Sequence, residues 1–259
     1  MEVVKKTKNL GTLIIKSISK EMAKEMIISN HYSHKWNDGG FGRYNYGIFQ
    51  SSSPDECLGV ASYGYMKNPK AHIFRSSNPH GWMSELNRMW IDDRLGHNAE
   101  TILIGASLRL IRKEDPNIVA VQSFADGRLG CGTIYKASNF KYYGYHWTIF
   151  ARQKRSGEVI HQQIFTASNS LSGFLRANMH YLLGDCDFFK VKTYRYIYPF
   201  DRSFIFFGKE LPYPTYEKGE HPFVWVRNKK DIKRKMKRIL DMIVPDDLEK
   251  GIHPKQNDV

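Results

Sequence analysis

From Thr12 to Trp147 the chain switches repeatedly between short runs rich in branched and aromatic residues and longer stretches of helical period, in the order β, α, a run of β, α, β, α, β. The two periods put apolar side chains on a face in incompatible ways, so the alternation argues against a bundle or a barrel and for a mixed α/β sheet flanked by helices. TLIIKS (Thr12–Ser17) is the first strand, and Ser19 stands as N-cap of a helix ending near Asn30. Alternating residues on either side of the turn-rich SSSPDE predict a hairpin across Tyr46 to Tyr65. ELNRMWI (Glu85–Ile91) is a strand, DDRLGHN a loop, Ala99 to Lys113 a long helix and NIVAVQSF (Asn117–Phe124) a buried strand. TIYKASN then reads as a short helical stretch, and FKYYGYHWTIFAR as an aromatic strand turning near Gly144.

Beyond Ser156, LSGFLRANMHYLLGDC predicts a helix ending at Gly184, KTYRYIYP (Lys192–Pro199) an aromatic strand and PYPTYEKGEHPF a proline-punctuated loop. RNKKDIKRKMKR (Arg227–Arg238) carries eight Lys or Arg against one Asp, so 8 − 1 = +7 sits in one stretch. These breaks suggest a core over residues 1–155, an extension packed on it over 156–226, and a basic helix and tail over 227–259. At 41% hydrophobic, the 259 residues can bury a sizeable core, which excludes a disordered or collagen-like chain. The net charge of +13 favours a polyanionic partner, nucleic acid above all. No apolar run approaches the roughly 18 residues of a membrane span, and the EVVKKTKN start has no signal-like apolar region, so a cytoplasmic protein is expected. Cys57, Cys131 and Cys186 are too few and too widely spaced for a disulfide framework or a zinc knuckle.

ELNRMW, DDRLGHNAE and SFADGRLGCGTIYKASNFKYYGYHW, between Glu85 and Trp147, resemble the Mom family of phage Mu-type DNA modification proteins. The His31-Tyr32 pair in HYSHKW and the Tyr194-Arg195-Tyr196 run before a Pro-Tyr-Pro extend the resemblance over roughly residues 12 to 215. It implies a GNAT-like acyltransferase fold, with a mixed central sheet, a C-terminal elaboration, and DNA and an acyl donor as partners. In such a fold the loop Arg94 to Ala99 would wrap the donor's pyrophosphate with backbone N–H groups at a helix N-terminus. Arg94, Gly96, His97, Asn98 and Asn139 are the candidate donor-binding residues. The single Gly96, with Asn98 where a small residue is usual, departs from the family pattern for coenzyme A.

The resemblance further implies a glycinamide-like group on the exocyclic amine of adenine, protecting the DNA from restriction endonucleases. That amine is weakly nucleophilic because its lone pair is delocalised into the ring, so a carboxylate or histidine must take its proton as bonding proceeds. Asp126, at the end of a buried strand, is the candidate base, with Ser123 on the same strand face; alternatively Asp126 caps the glycine-rich turn. Tyr135 stands where GNAT enzymes carry a phenol that protonates the leaving thiolate, or else packs in the core. Glu85 and Arg88, three apart in a strand, are expected on opposite faces, with Glu85 toward the site. His31 could act in catalysis, meet the last carbonyls of its helix, or pair with His34 on a metal that would need further ligands. Tyr32, Trp36 and Tyr63 could stack on an extruded base, although at least one of the three should lie in the core. Arg195 and the basic-stretch residues Lys230, Lys233, Arg234 and Lys237 are candidates for phosphate contacts.

A glycyl group delivered to the amine could rearrange through a five-membered spiro intermediate and place both nitrogens of the product. Glycyl-tRNA is therefore a candidate donor beside acetyl-coenzyme A. An ordinary acetyltransferase acting on a protein or small amine, and a basic nucleic-acid-binding module without catalysis, are the competing readings.

Overall fold

The structure is a computed structural model and describes residues 1–69, 71–157, 159–161, 186–215 and 223–225. In chain order the elements are β1 (Glu2–Lys6), β2 (Thr12–Ser17), α1 (Lys20–Asn30), β3 (Tyr44–Gln50), β4 (Ser53–Tyr65), β5 (Phe74–Arg75), β6 (Trp82–Ile91), α2 (Ala99–Glu114), β7 (Ile118–Asp126) and α3 (Thr133–Ala137). They continue with β8 (Lys141–Gln153), β9 (Val159–His161), β10 (Cys186–Pro199), β11 (Ile205–Phe206) and β12 (Phe223–Trp225). The α/β class and the positions of β2, α1, the β3–β4 hairpin, β6, α2, β7 and α3 agree with the sequence expectation; β1 was not anticipated. The expected helix ending at Gly184 and the basic helix after Arg227 lie outside the described residues.

Two compact units form, and the chain passes between them at Ala125/Asp126, at Gly130/Cys131, within β8 and β10, and at Tyr216/Glu217. The first comprises Met1–Ala125, Cys131–Gly144 and Tyr194–Tyr216. Its sheet runs β1-β2-β3-β4-β6-β7, then the C-terminal end of β10 and the N-terminal end of β8. Pairs from β1 to β6 are antiparallel, whereas β6 and β7 are parallel and are joined through α2. The second unit holds Asp126–Gly130, Tyr145–Thr193 and Glu217–Val259. There Phe150 stacks on Phe189, and the ammonium groups of Lys190 and Lys192 lie over the rings of Trp147 and Tyr145.

Helices cover both faces of the first sheet. α1 begins at Ser19, whose hydroxyl accepts the Met22 N–H, and packs Ala23 and Ile27 against Val60 of β4. α2 buries Leu103, Ile104, Ala106, Leu108, Leu110 and Ile111 in the main core on the other face, with Leu13, Ile15, Tyr46, Tyr63 and Val121. The segment 37–42 passes directly over β4, where the Gly40 carbonyl accepts the Tyr65 N–H at 3.0 Å. Only a glycine fits beneath it: a Cβ at Gly64 would collide with the Gly40 oxygen and sit 2.6 Å from Asn87 Oδ1. Gly64→Ala should therefore cost about 1–3 kcal/mol of stability through overpacking. Urea unfolding checks this, and a wild-type midpoint would show that the strap yields freely.

Candidate active site

β6 and β7 pair in parallel from Trp82↔Ile118 to Glu85↔Gln122 and no further, although β6 continues to Ile91 and β7 to Asp126. Beyond the paired stretch the Leu86 carbonyl accepts the Ser123 hydroxyl at 3.4 Å, and parallel strands that diverge are where α/β sheets gather function. Across β6 from this fork, the register with β4 skips one residue: Tyr63 faces Leu86 while Ser62 faces Arg88. Asn87 is the extra residue of a β-bulge.

That bulge corrects the expectation for Glu85 and Arg88. In a regular strand residues three apart face opposite sides, but an inserted residue reverses the alternation, and Glu85 and Arg88 emerge on the same face. Each feels the other's charge. Asn87 turns to that face as well, its Oδ1 lying close above Gly64. Gln122 Nε2 donates to Glu85 Oε2 at 2.7 Å, and Asn87 Nδ2 reaches Glu85 Oε1 at 3.4 Å. Arg195 lies within electrostatic reach of the same carboxylate, its guanidinium against the rings of Phe124 and Phe206. Burial pushes the Glu85 carboxyl above the ordinary glutamate range, against the opposing effects of its amide donors and the two arginines.

Next to Arg88 stands His31, just past the end of α1. Its Nδ1 accepts the Ser33 N–H at 3.1 Å, which leaves the ring proton on Nε2. Burial, with Arg88 and His34 nearby, lowers its pKa to about 4, so the ring is neutral at physiological pH. Tyr32 lies against it with ring centroids 4.2 Å apart and is 52% exposed. The His34 Nδ1 is bonded to the Ile28 carbonyl, and no group of three or more His, Cys, Asp or Glu able to hold a metal occurs among the described residues.

On the opposite face of the fork, Ser123 donates to the Tyr135 hydroxyl at 2.9 Å. Tyr135 is buried between Phe140 and Tyr196, and desolvation raises its phenol pKa, with a further contribution from Glu85. A phenol so placed keeps its proton and feels the carboxylate across the strand opening. Ser123 does not share a face with Asp126, contrary to expectation, because three steps along β7 reverse the side-chain direction. Asp126 belongs to the second unit, where both its oxygens engage Arg128 and one also accepts the Arg128 N–H.

The loop after β6 holds Gly96 and Asn98 in left-handed conformations, and the side chain of Asn98 makes no cap bond to α2. The N-terminal backbone N–H groups of a 16-residue helix thus lack a side-chain cap. The Arg94 guanidinium is committed to Asp92 and Glu56 and the Gly96 N–H to the Asp93 carbonyl at 3.0 Å, which leaves the backbone N–H groups of His97 and Asn98 at the start of α2. Asn139, also left-handed, donates its N–H to the Lys136 carbonyl in the turn that closes α3.

Of the three aromatic candidates, Tyr63 is the one that lies in the core, as expected for at least one of them. Tyr63 is fully buried, its ring edge-on to Tyr46 and its hydroxyl 2.6 Å from that of Ser107, so no base can stack on it. Trp36 packs half-buried on the α1 cluster, edge-on to Phe41. Lys230, Lys233, Arg234 and Lys237 lie outside the described residues. Asn87 and Gln122 were not anticipated: buried amides in strands read as ordinary polar residues until the bulge and the fork bring them to Glu85.

A sequence profile described as the Mom protein family matches residues 12–215. The chain is also 33% identical over 191 residues to the methylcarbamoylase Mom of Escherichia phage Mu, covering 71% of this chain and 74% of that protein. It belongs to the Mom protein family. Among solved structures it is similar to Arabidopsis thaliana NAA60 in complex with a bisubstrate analogue (TM-score 0.42, 9% identity, 74% of this chain and 99% of that one). It is likewise similar to the ribosomal-protein-S5-alanine acetyltransferase of Vibrio fischeri (TM-score 0.41, 9% identity, 78% and 98%).

The buried neutral His31 gives a pH prediction. Its folded pKa lies below the unfolded value of 6.5, so between the two the unfolded state binds more protons and stability falls as pH falls. From pH 7.5 to 5 this residue should remove about 2 kcal/mol. Urea unfolding of wild type and His31→Gln at both pH values measures it. The variant should lose less stability on acidification, and equal losses would contradict a depressed His31.

Proposed function

We propose that this chain is a DNA modification enzyme that transfers an acyl-derived, glycinamide-like group to the exocyclic amine of adenine, as a defence against restriction endonucleases. Membership of the family that includes the phage Mu methylcarbamoylase supports the reaction class. The observation that carries the reading is a half-buried carboxylate of raised pKa and a buried, protonated phenol on the two faces of the place where β6 and β7 stop pairing. Acyl transfer to a weak amine needs that pair: a base for the amine proton and an acid for the leaving group.

Glu85 takes the proton of the amine as the new bond to nitrogen forms, and its elevated pKa brings its basicity nearer the operating pH. Tyr135, oriented by Ser123, supplies a proton to the departing group. Tyr32 stacks on the extruded base, and neutral His31 supports the stack without adding charge. The uncapped N-terminus of α2, with His97 and Asn98, fits the phosphates of a donor through backbone N–H groups, Gly96 giving the turn its positive φ. An acyl-coenzyme A or a glycyl-tRNA would supply the activated carbonyl there. A glycyl group fits the product's connectivity: acylation of the amine, attack of the glycyl nitrogen on the ring carbon, and opening of the spiro ring leave the original adenine nitrogen as the carboxamide. Outside the described residues, Lys230, Lys233, Arg234 and Lys237 follow the phosphate backbone.

Nucleoside mass spectrometry of DNA from expressing cells tests the reading. Wild type should yield a mass-shifted deoxyadenosine, Glu85→Gln none, and Tyr135→Phe at least about 100-fold less, the usual cost of losing a positioned acid. Unmodified DNA together with acetylated free amines would favour an ordinary acetyltransferase, and DNA binding with no change of mass a non-catalytic module. Neutralising the four basic residues should also flatten the slope of log affinity against log salt, by about 0.9 for each phosphate that the protein no longer neutralises. An unchanged slope would put the DNA elsewhere.

A further inference from the structure

Around Glu85 three buried polar atoms have no hydrogen-bond partner: Asn87 Oδ1, Gln122 Oε1 and Arg195 Nε. Asn87 and Gln122 are only 6% and 4% exposed. A buried carbonyl without a partner is costly, and native proteins seldom leave such groups unpaired without a use. Their orientation follows from the acceptors around their nitrogens, Glu85 for both and, for Asn87, the Tyr65 carbonyl at 3.4 Å as well. Glu85 can only accept when ionised, and its two oxygens draw the amide nitrogens of Gln122 and Asn87, one each. Both amides must therefore turn their carbonyl oxygens away from it. Two hydrogen-bond acceptors result, hung from one carboxylate on neighbouring strands at the fork, with a guanidinium donor within that carboxylate's field.

We propose that Asn87 and Gln122 read the exocyclic amine of adenine through these two carbonyls, while Arg195 Nε donates to an adjacent ring nitrogen. An amine with two N–H groups beside a ring acceptor complements this set, and adenine presents that pattern. Guanine does not: its O6 would face two carbonyl oxygens, an arrangement that repels and leaves all three groups unpaired. The amides are thus specificity-determining residues that Glu85 positions, and one of the two N–H groups leaves its carbonyl for Glu85 as the new bond forms. This assignment rests on the proposed adenine modification, but its test does not need the reaction.

Affinity is measured for short single-stranded oligonucleotides carrying one adenine among thymines, with that adenine replaced in turn by purine, which lacks the amine, and by hypoxanthine, which has a carbonyl there. Wild type should bind the adenine strand at least about fivefold more tightly than the purine strand, the lower end of a good base contact, and the hypoxanthine strand more weakly still. Gln122→Met, close in size but without the amide, should bring the adenine-to-purine ratio toward one and leave the affinity for the purine strand within about twofold. Asn87→Ser gives a second variant should the first unfold. Equal binding of all three strands by wild type, or an undiminished ratio in a folded variant, would overturn the assignment. Discrimination by wild type without any modified nucleoside in cells would keep the base-reading role and sink the enzymatic one; modified DNA without discrimination would do the reverse.

Discussion

One inserted residue organises this site. Without the bulge at Asn87, β6 would keep strict alternation and send Glu85 and Arg88 to opposite faces, one under α2 and one under α1. With it, a carboxylate, an amide and a guanidinium come from four consecutive positions onto one face. The pairing of β6 with β7 ends two residues before the bulge, at Glu85↔Gln122. Strand separation and bulge together make an opening lined by side chains rather than by paired backbone.

The electrostatics follow from that crowding. A lone buried carboxylate would be prohibitively costly, and here Arg88, Arg195 and two amide donors offset part of the cost. Desolvation still dominates, so the group remains a stronger base than an exposed glutamate. Arg88 is itself fixed, its guanidinium donating to the Lys35 and Asn87 carbonyls and stacking on Phe41. The strap 37–42, just beyond Lys35, covers Gly64, where any side chain would strike the Gly40 carbonyl. The residues around the base are thus locked by backbone contacts, which is how a site holds its geometry before substrate arrives.

Much of this was legible in the sequence, and what was not has physical causes. Strands and helices with clean periods, such as Thr12–Ser17, the Ser19-capped α1, and α2, announce themselves because one face is buried throughout. The fork and the bulge do not, because both are properties of pairing between strands, and ELNRMW has the same pattern with or without an extra residue. Glu85, Ser123, Tyr135 and His31 were recognisable as chemistry-bearing residues. Their grouping was not, since the reading that joined Ser123 to Asp126 overlooked the alternation along β7. Tyr63 misled for the opposite reason: an aromatic residue in a hairpin looks the same whether it faces solvent or, as here, Ser107 in the core.

The account stands on Glu85 being a desolvated carboxylate held among Gln122, Asn87, Arg88 and Arg195. Titration of its side-chain carbon by NMR, with glutamate labelled at the carboxyl and the signal assigned by Glu85→Gln, measures that state directly. The midpoint should lie above the ordinary glutamate value of 4.5, and should rise further when Arg88 is replaced by methionine, because a neighbouring positive charge is removed. A midpoint at or below 4.5 that ignores the Arg88 substitution would mean the carboxylate is solvated and apart from its neighbours, and the site as described would not exist.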